Sequence, residues 1–540
     1  MDALFVPLAA AVGASLDQVK LISCLLVSYP LGSIFIRLPV SRPNIRHAFN
    51  VAVTSIYLLP ILNMGTAYFQ LLGDILFTYY VAAYVKSSKM PWIVFGTIMS
   101  HLTLNHIIRA ILGQSYETYE ITGPQMVLAM KLTTFAWSVF DGRRPVEELD
   151  KYQTEKRVTE YPSLLGFLGF AFYFPGFLVG PSLEYADYDI LVHGTLFKQL
   201  EKKDDTGRGS RKLVPKGRKR VAYRRMFLGL ALLGTYVAFA GSANLGVTVQ
   251  DWYVQKGFVY RVAYLQFCGF IERTKYYAIW TLTEGASILT GLGFTGFNAK
   301  GKSTWKGAAN VDMMNIEFAP NFKVLLDSWN IKTNVWLREC IYKRVTPKGK
   351  KPGFRSSMLT FATSAIWHGV QGGYYLTFAF GGFIQTAQRL CRRHIRPLFL
   401  PATYVTEKGA PPPPQNTIKR VYDIAGTFIS ILILNYTVIP FMLLDVRHSL
   451  AGWANLRWYG HWVVGGTLVF FYAGGTGLLK GLQAKRIRKA GLRADKEKDS
   501  DAVSVSDAPG APVLPPFDDA AREFEDSDIM KMVNNSKRLG

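Results

Sequence analysis

The chain has 540 residues, 49% of them hydrophobic, with a mean hydropathy of +0.13 and a formal net charge of +24. Its apolar residues are gathered in long blocks nearly free of charge rather than dispersed, which argues against a large soluble protein. The basic excess lies in loops between those blocks, as in EKKDDTGRGSRKLVPKGRKRVAYRR and YKRVTPKGKKPGFR, with no zinc spacing or RNA-binding signature beside it, which argues against nucleic acid as a partner.

The N-terminal stretch MDALFVPLAAAVGASLD lacks a basic n-region and is taken as part of the mature chain. Apolar runs then predict spans at about 18–38, 50–63, 65–86, 92–112, 122–140, 163–181, 226–246, 258–272, 276–294, 355–369, 372–389, 422–444 and 462–482. Pro30, Pro60, Pro175 and Gly176 predict kinked or re-entrant pieces packed inside a bundle, where freed backbone groups find partners. The fold class is therefore an all-α polytopic membrane protein. The boundaries expected are a transmembrane domain over residues 1–482 and a charged, unstructured cytosolic tail over 483–540. GAPPPPQ at 409–415 reads as a polyproline linker within a loop. Four scattered cysteines, Cys24, Cys268, Cys340 and Cys391, form no CxxC pair and imply no disulfide framework. Of the glycosylation sequons, Asn534 lies in the tail and Asn435 inside a span, so neither is expected to be used.

The basic stretches Lys198–Arg225, Lys332–Arg355, Arg389–Arg420 and the tail from Lys480 share the cytosolic face if loop charge sets orientation. Nothing charged lies between Arg355 and Arg389, so this stretch must enter and return, as two short spans or a hairpin turning near HGVQGG. Within it SAIWHGVQGGYYLTF places His368 inside the membrane or toward the far leaflet. Of the eight histidines, His47, His193, His394, His448 and His461 fall in loops or at span ends, and His101 and His106 flank a predicted helix end. His368 alone sits deep in a long uncharged stretch. A lone core histidine is ordinarily just hydrogen-bonded. Here, however, a polar and aromatic segment, FAPNFKVLLDSWNIKTNVWLRECIYKR, lies just upstream and carries Asn330. A neutral imidazole accepts a proton from a hydroxyl, and an uncharged amide orients a substrate or stabilises an oxyanion. Neither brings a charge into lipid. No metal ligand is spaced at i+3 or i+4 from His368. No GxSxG elbow supports a serine triad, and the glycines of TGLGFTGF lack the context of a phosphate loop.

WHGVQGGYY, preceded by the segment WNIKTNVWLR, resembles the membrane-bound O-acyltransferase family, most closely its fungal-type lysophospholipid acyltransferases. The resemblance extends through ITGPQMVLAMKLTTFAWSVFDG (121–142), PSLLGFLGFAFYFPGFLVGPSLEYADY (162–188), KYYAIWTLTEGASILTGLGFTGF (275–297) and NVDMMNIEFAPNFKVLLDSWNIKTNVWLRECIYKR (310–344), and covers roughly residues 15–480. It implies a bundle of about eleven transmembrane helices, plus re-entrant or short ones, enclosing a substrate tunnel. It also implies acyl transfer from acyl-CoA to the free hydroxyl of a lysophospholipid in an endoplasmic reticulum membrane. The acyl-CoA is a substrate, and no cofactor or metal is expected. By motif match His368 takes the family's histidine position and Asn330 its asparagine position, with His368 as general base and Asn330 orienting the acceptor or stabilising the oxyanion. Trp329, Trp336, Trp367, Tyr374 and Tyr375 are candidate chamber walls. Arg338, Lys343 and Arg344 are candidates for the phosphates of coenzyme A. LDSWN in place of the FYxDWWN of the sterol and diacylglycerol branch favours a phospholipid acceptor. A sterol, diacylglycerol or protein acceptor, or a non-catalytic transporter or scaffold, are the alternatives. Head group, acyl chain and oligomeric state are not legible in the sequence.

Overall fold

A computed structural model describes residues 1–115, 118–198, 214–346, 354–402, 404 and 413–491. The tail from 492, including Asn534, and residues 409–412 of the polyproline stretch lie outside the described residues. The described chain is helical apart from one small antiparallel pair, Gly296–Phe297 with Ser303–Thr304. Large apolar side chains such as Phe69, Ile111, Val259, Phe428, Trp462 and Val469 are exposed on its surface. That inversion is costly in water and expected in hydrocarbon. Among the described residues, three helices are long and apolar enough to cross a membrane by length and composition: Leu16–Phe35, Thr417–Leu443 and Tyr459–Lys489.

Several expected spans take a different form. The spans at 258–272 and 276–294 are one helix, Phe258–Thr290, of 33 residues. The charges between them do not break it because each is paired: Arg273 forms a two-point contact with Glu317, both bonds 2.7 Å, and Lys275 lies 3.6 Å from Glu272. The expected span at 163–181 is instead two short helices, Leu164–Ala171 and Phe174–Phe177. Buried Lys131 caps the break, donating to the Ala171 carbonyl at 3.0 Å and to that of Phe170. This satisfies backbone acceptors that a helix end leaves orphaned. The span expected from 226 starts earlier, as Arg218–Phe239, because its basic residues continue the helix. Beyond a kink at Ala473 and Gly474, the last part of the span Tyr459–Lys489, the segment Thr476–Lys489, runs through the expected domain boundary at 482. His47 is buried rather than in a surface loop, with its Nδ1 2.8 Å from the Tyr188 hydroxyl. His461 stacks on Phe380 at 4.4 Å and meets the Tyr436 hydroxyl at 2.6 Å. Asn435 is fully buried, as expected for a residue inside a span.

Two large apolar cores result. One surrounds the helix Thr122–Gly142, which is buried along nearly its whole length, and includes Trp336, Cys340 and Trp367. The other gathers around Phe258–Thr290 and includes Phe380, Tyr436 and Trp453, with Trp329 packed against it. The polar segment upstream of His368 therefore runs from one core to the other, and Asn330 lies at the crossing.

Candidate active site

The stretch around His368 forms the expected hairpin: helix Phe354–His368, a turn, then helix Gly372–His394. Two glycines make the turn possible. Gly369 has φ +142°, and a Cβ there would lie 3.0 Å from the Tyr374 ring. At Gly373 a Cβ would lie 2.0 Å from the carbonyl oxygen of Pro440, and its N–H donates to the Leu444 carbonyl at 2.7 Å. The absence of side chains thus lets the helix Ile439–Leu443 lie directly against the hairpin.

His368 ends its helix, and its Nδ1 lies 2.7 Å from the Ser364 carbonyl. A carbonyl only accepts, so Nδ1 carries the hydrogen. In the neutral ring Nε2 is left with a lone pair, the form a general base requires. The ring sits among Trp367, Phe378, Phe441 and Tyr374, with centroids at 4.6, 4.9, 5.1 and 5.8 Å. Tyr374 is buried, whereas Tyr375 is 40% exposed and turns to the outer surface.

The helix Thr122–Gly142 holds the two halves of the site in register. Trp367 Nε1–H donates to the Met126 carbonyl at 2.9 Å. Trp336 Nε1–H donates to Thr133 Oγ1 at 2.9 Å, and Thr333 Oγ1 lies 3.2 Å from Met130 Sδ. Positions 126, 130 and 133 share one face of a helix, spread over about 10 Å of its length. Trp336 and Trp367 meet at 5.8 Å. The Asn330 segment and His368, distant in sequence, are thereby fixed to neighbouring turns of one buried helix. Trp329 packs away from this face, against Tyr276, Tyr277 and Trp280 at 5.2–5.9 Å.

The candidate cations lie farther along. Arg338 pairs with Glu339 at 2.8 Å, and Lys343 with Glu339 and Asp150, each at 2.8 Å. Arg344 pairs with Asp141 and stacks over Trp137 at 4.2 Å. All three are engaged with protein carboxylates. At Asp150, burial pushes the carboxyl up, but Lys343 and the Gln153 N–H hold it below its ordinary value.

Sequence reasoning left out several neighbours. His106 is buried within the helix Met90–Ile111, and its Nε2 lies 3.3 Å from the Trp367 carbonyl. His101 lies on the same helix. Its Nδ1 is 2.7 Å from Asp74, in a polar cluster with Gln70, Asn105 and Gln125. A carboxylate and two imidazoles in otherwise apolar runs were the available signal. Phe441 approaches from a distant helix, and nothing local in the sequence marks it.

The description "MBOAT, membrane-bound O-acyltransferase family" matches residues 45–412. The chain belongs to the membrane-bound O-acyltransferase family. Within that family it is 40% identical to a lysophospholipid acyltransferase of Schizosaccharomyces pombe, over 83% of this chain and 85% of that one. It is 38% identical to a lysophospholipid acyltransferase of Saccharomyces cerevisiae, over 87% and 76%. It is 29% identical to human membrane-bound glycerophospholipid O-acyltransferase 1, over 84% and 89%. Family membership makes the chain an acyltransferase and, with its apolar helices, a membrane protein.

Proposed function

We propose that this protein is a lysophospholipid acyltransferase that moves an acyl chain from acyl-CoA to the free hydroxyl, at sn-2, of a lysophospholipid. His368 Nε2 takes the hydroxyl proton as the oxygen attacks the thioester carbonyl. The tetrahedral intermediate then collapses, the C–S bond breaks, and the imidazolium returns the proton to the coenzyme A sulfur. Asn330 assists at the carbonyl. The aromatic ring around His368 admits acyl chains and keeps water from the thioester. The single observation that carries this reading is the Nδ1–H bond to Ser364, which leaves Nε2 as an acceptor within an apolar cage. We place the reaction in a tunnel through a bundle of about eleven spans, within the endoplasmic reticulum membrane and with the C-terminal tail in the cytosol. Arg338, Lys343 and Arg344 are the cations we assign to the donor's phosphates, in competition with Glu339, Asp150 and Asp141.

The test is purified protein in lipid nanodiscs with labelled acyl-CoA and a panel of lysophospholipids. Transfer is expected with the wild type and lost in His368→Ala at unchanged thermal stability. Substantial transfer by a folded His368→Ala variant, or none to any lysophospholipid by the wild type, refutes the reading.

A further inference from the structure

Asn330 has a left-handed backbone, φ +46° and ψ +54°, which a side chain disfavours. Asn310 holds it there through the two residues that follow it. Its carbonyl accepts the Ile331 N–H at 2.9 Å, and its Oδ1 accepts the Lys332 N–H at 2.9 Å. The Asn310 side chain is 2% exposed. Its remaining side-chain bond runs from Nδ2 to Asn330 Oδ1 at 3.0 Å.

These bonds fix both amide orientations. A backbone N–H only donates, so the atom of Asn310 facing Lys332 is its oxygen, and the atom facing Asn330 is its NH₂. The atom of Asn330 that meets this NH₂ is therefore its oxygen. Thr333 Oγ1 has one hydrogen, and it donates to the same oxygen at 2.9 Å, a stronger acceptor than the Met130 sulfur 3.2 Å away. With Oδ1 engaged by two donors, the group Asn330 can offer a substrate is its Nδ2, a pure hydrogen-bond donor.

We propose that Asn310 is a positioning residue that turns the Asn330 amide N–H toward the reacting carbonyl, so that Asn330 acts as a donor to the developing oxyanion rather than as an acceptor for the substrate hydroxyl. The inference rests on the assignment of Asn330 to the active site. It explains why a residue buried beside the site, with no access to substrate, is polar and fully bonded. Donors aimed at a developing oxyanion act mainly on the chemical step. The effect therefore belongs in kcat rather than in KM.

The decisive variant is Asn310→Asp, nearly isosteric and still able to accept the Lys332 N–H. As a carboxylate it cannot donate to Asn330 Oδ1, and it draws the Asn330 NH₂ inward. As a neutral acid it donates as asparagine does. In full-length protein in nanodiscs, the variant-to-wild-type ratio of kcat is expected to fall as pH rises from about 5 to about 9, reaching a loss on the order of 10²-fold. KM for acyl-CoA and lysophospholipid should stay within about twofold of wild type. Glu284, Lys306, Asp312 and Lys332 are common to both proteins, so the carboxyl at 310 is the one titrating group that the ratio adds. A pH-independent ratio overturns the proposal, because a merely structural role gives no such profile. If Asn310→Asp does not fold, Thr333→Val removes the second donor to the same oxygen. A lowered kcat at unchanged KM then supports the proposal, and an unchanged kcat overturns it. Asn330→Ala separates the two levels: wild-type turnover there defeats the active-site assignment itself, whereas loss there with an Asn310→Asp ratio that does not respond to pH defeats only the role of Asn310.

Discussion

Two glycines on one helix, Gly373 and Gly381, should respond oppositely to the same substitution. In Gly373→Ala the new Cβ would lie 2.0 Å from the Pro440 carbonyl oxygen and 2.8 Å from that of Leu444. Both obstacles are backbone, so no rotamer relieves them, and the hairpin must move away by about 1.4 Å to reach ordinary contact. Overpacking of this kind costs about 1–3 kcal/mol or more. Stretching the Gly373 N–H bond to Leu444 adds about 1 kcal/mol. Alanine's helix preference returns only about 0.5–1 kcal/mol. The net is a destabilisation of roughly 2–3 kcal/mol. Because His368 stands just before this turn, a shift of about 1 Å or more there should also lower turnover by about 10²-fold. In Gly381→Ala the Cβ meets only the Phe361 ring, at 3.6 Å, an ordinary contact. That variant should be neutral or up to about 1 kcal/mol more stable. Thermal unfolding and acyl-transfer rate, measured side by side in nanodiscs, decide the matter. Equal behaviour of the two variants would refute the claim that close backbone approach at Gly373 sets the position of His368.

Arg273→Met should destabilise the protein by about 1–3 kcal/mol, because partly buried Glu317 loses its two-point contact and keeps only the Tyr277 hydroxyl at 2.7 Å, and a second change, Glu317→Gln, should recover part of that loss in the same unfolding assay. At Asp150 the native carboxyl is held below its unfolded value of about 3.9, so the charge stabilises the fold above that value. The advantage of wild type over Asp150→Asn should be constant near neutral pH and fade as pH falls below about 4 through the depressed native value. An advantage that persists at the acid end would contradict the Lys343 pairing.

The sequence by itself determined the environment and the chemistry on offer. Apolar blocks separated by basic loops require a membrane and helices, because hydrocarbon leaves backbone groups no other partner. The charge-free interval between Arg355 and Arg389 required a hairpin, and the imidazole inside it required an explanation. WHGVQGGYY and WNIKTN carried the family. What local pattern did not reach were effects of pairing and distance. Arg273 looked like the edge of a span until Glu317 was found opposite it. The run at 163–181 carried a kink signal at Pro175 and Gly176, but nothing local in it said that Lys131 would supply donors for the break. Arg338, Lys343 and Arg344 were candidates for phosphate contact; Glu339 stands beside the first two in sequence, but only tertiary packing sets Asp150 against Lys343 and Asp141 against Arg344. Above all, no spacing in the sequence says that Met126, Met130 and Thr133 hold Trp367, Thr333 and Trp336 on one helical face. Residue type sets which bonds a side chain is able to make. Which partner stands within about 3 Å, and so which tautomer and which amide orientation the proposed site presents, is decided only when the distant segments pack.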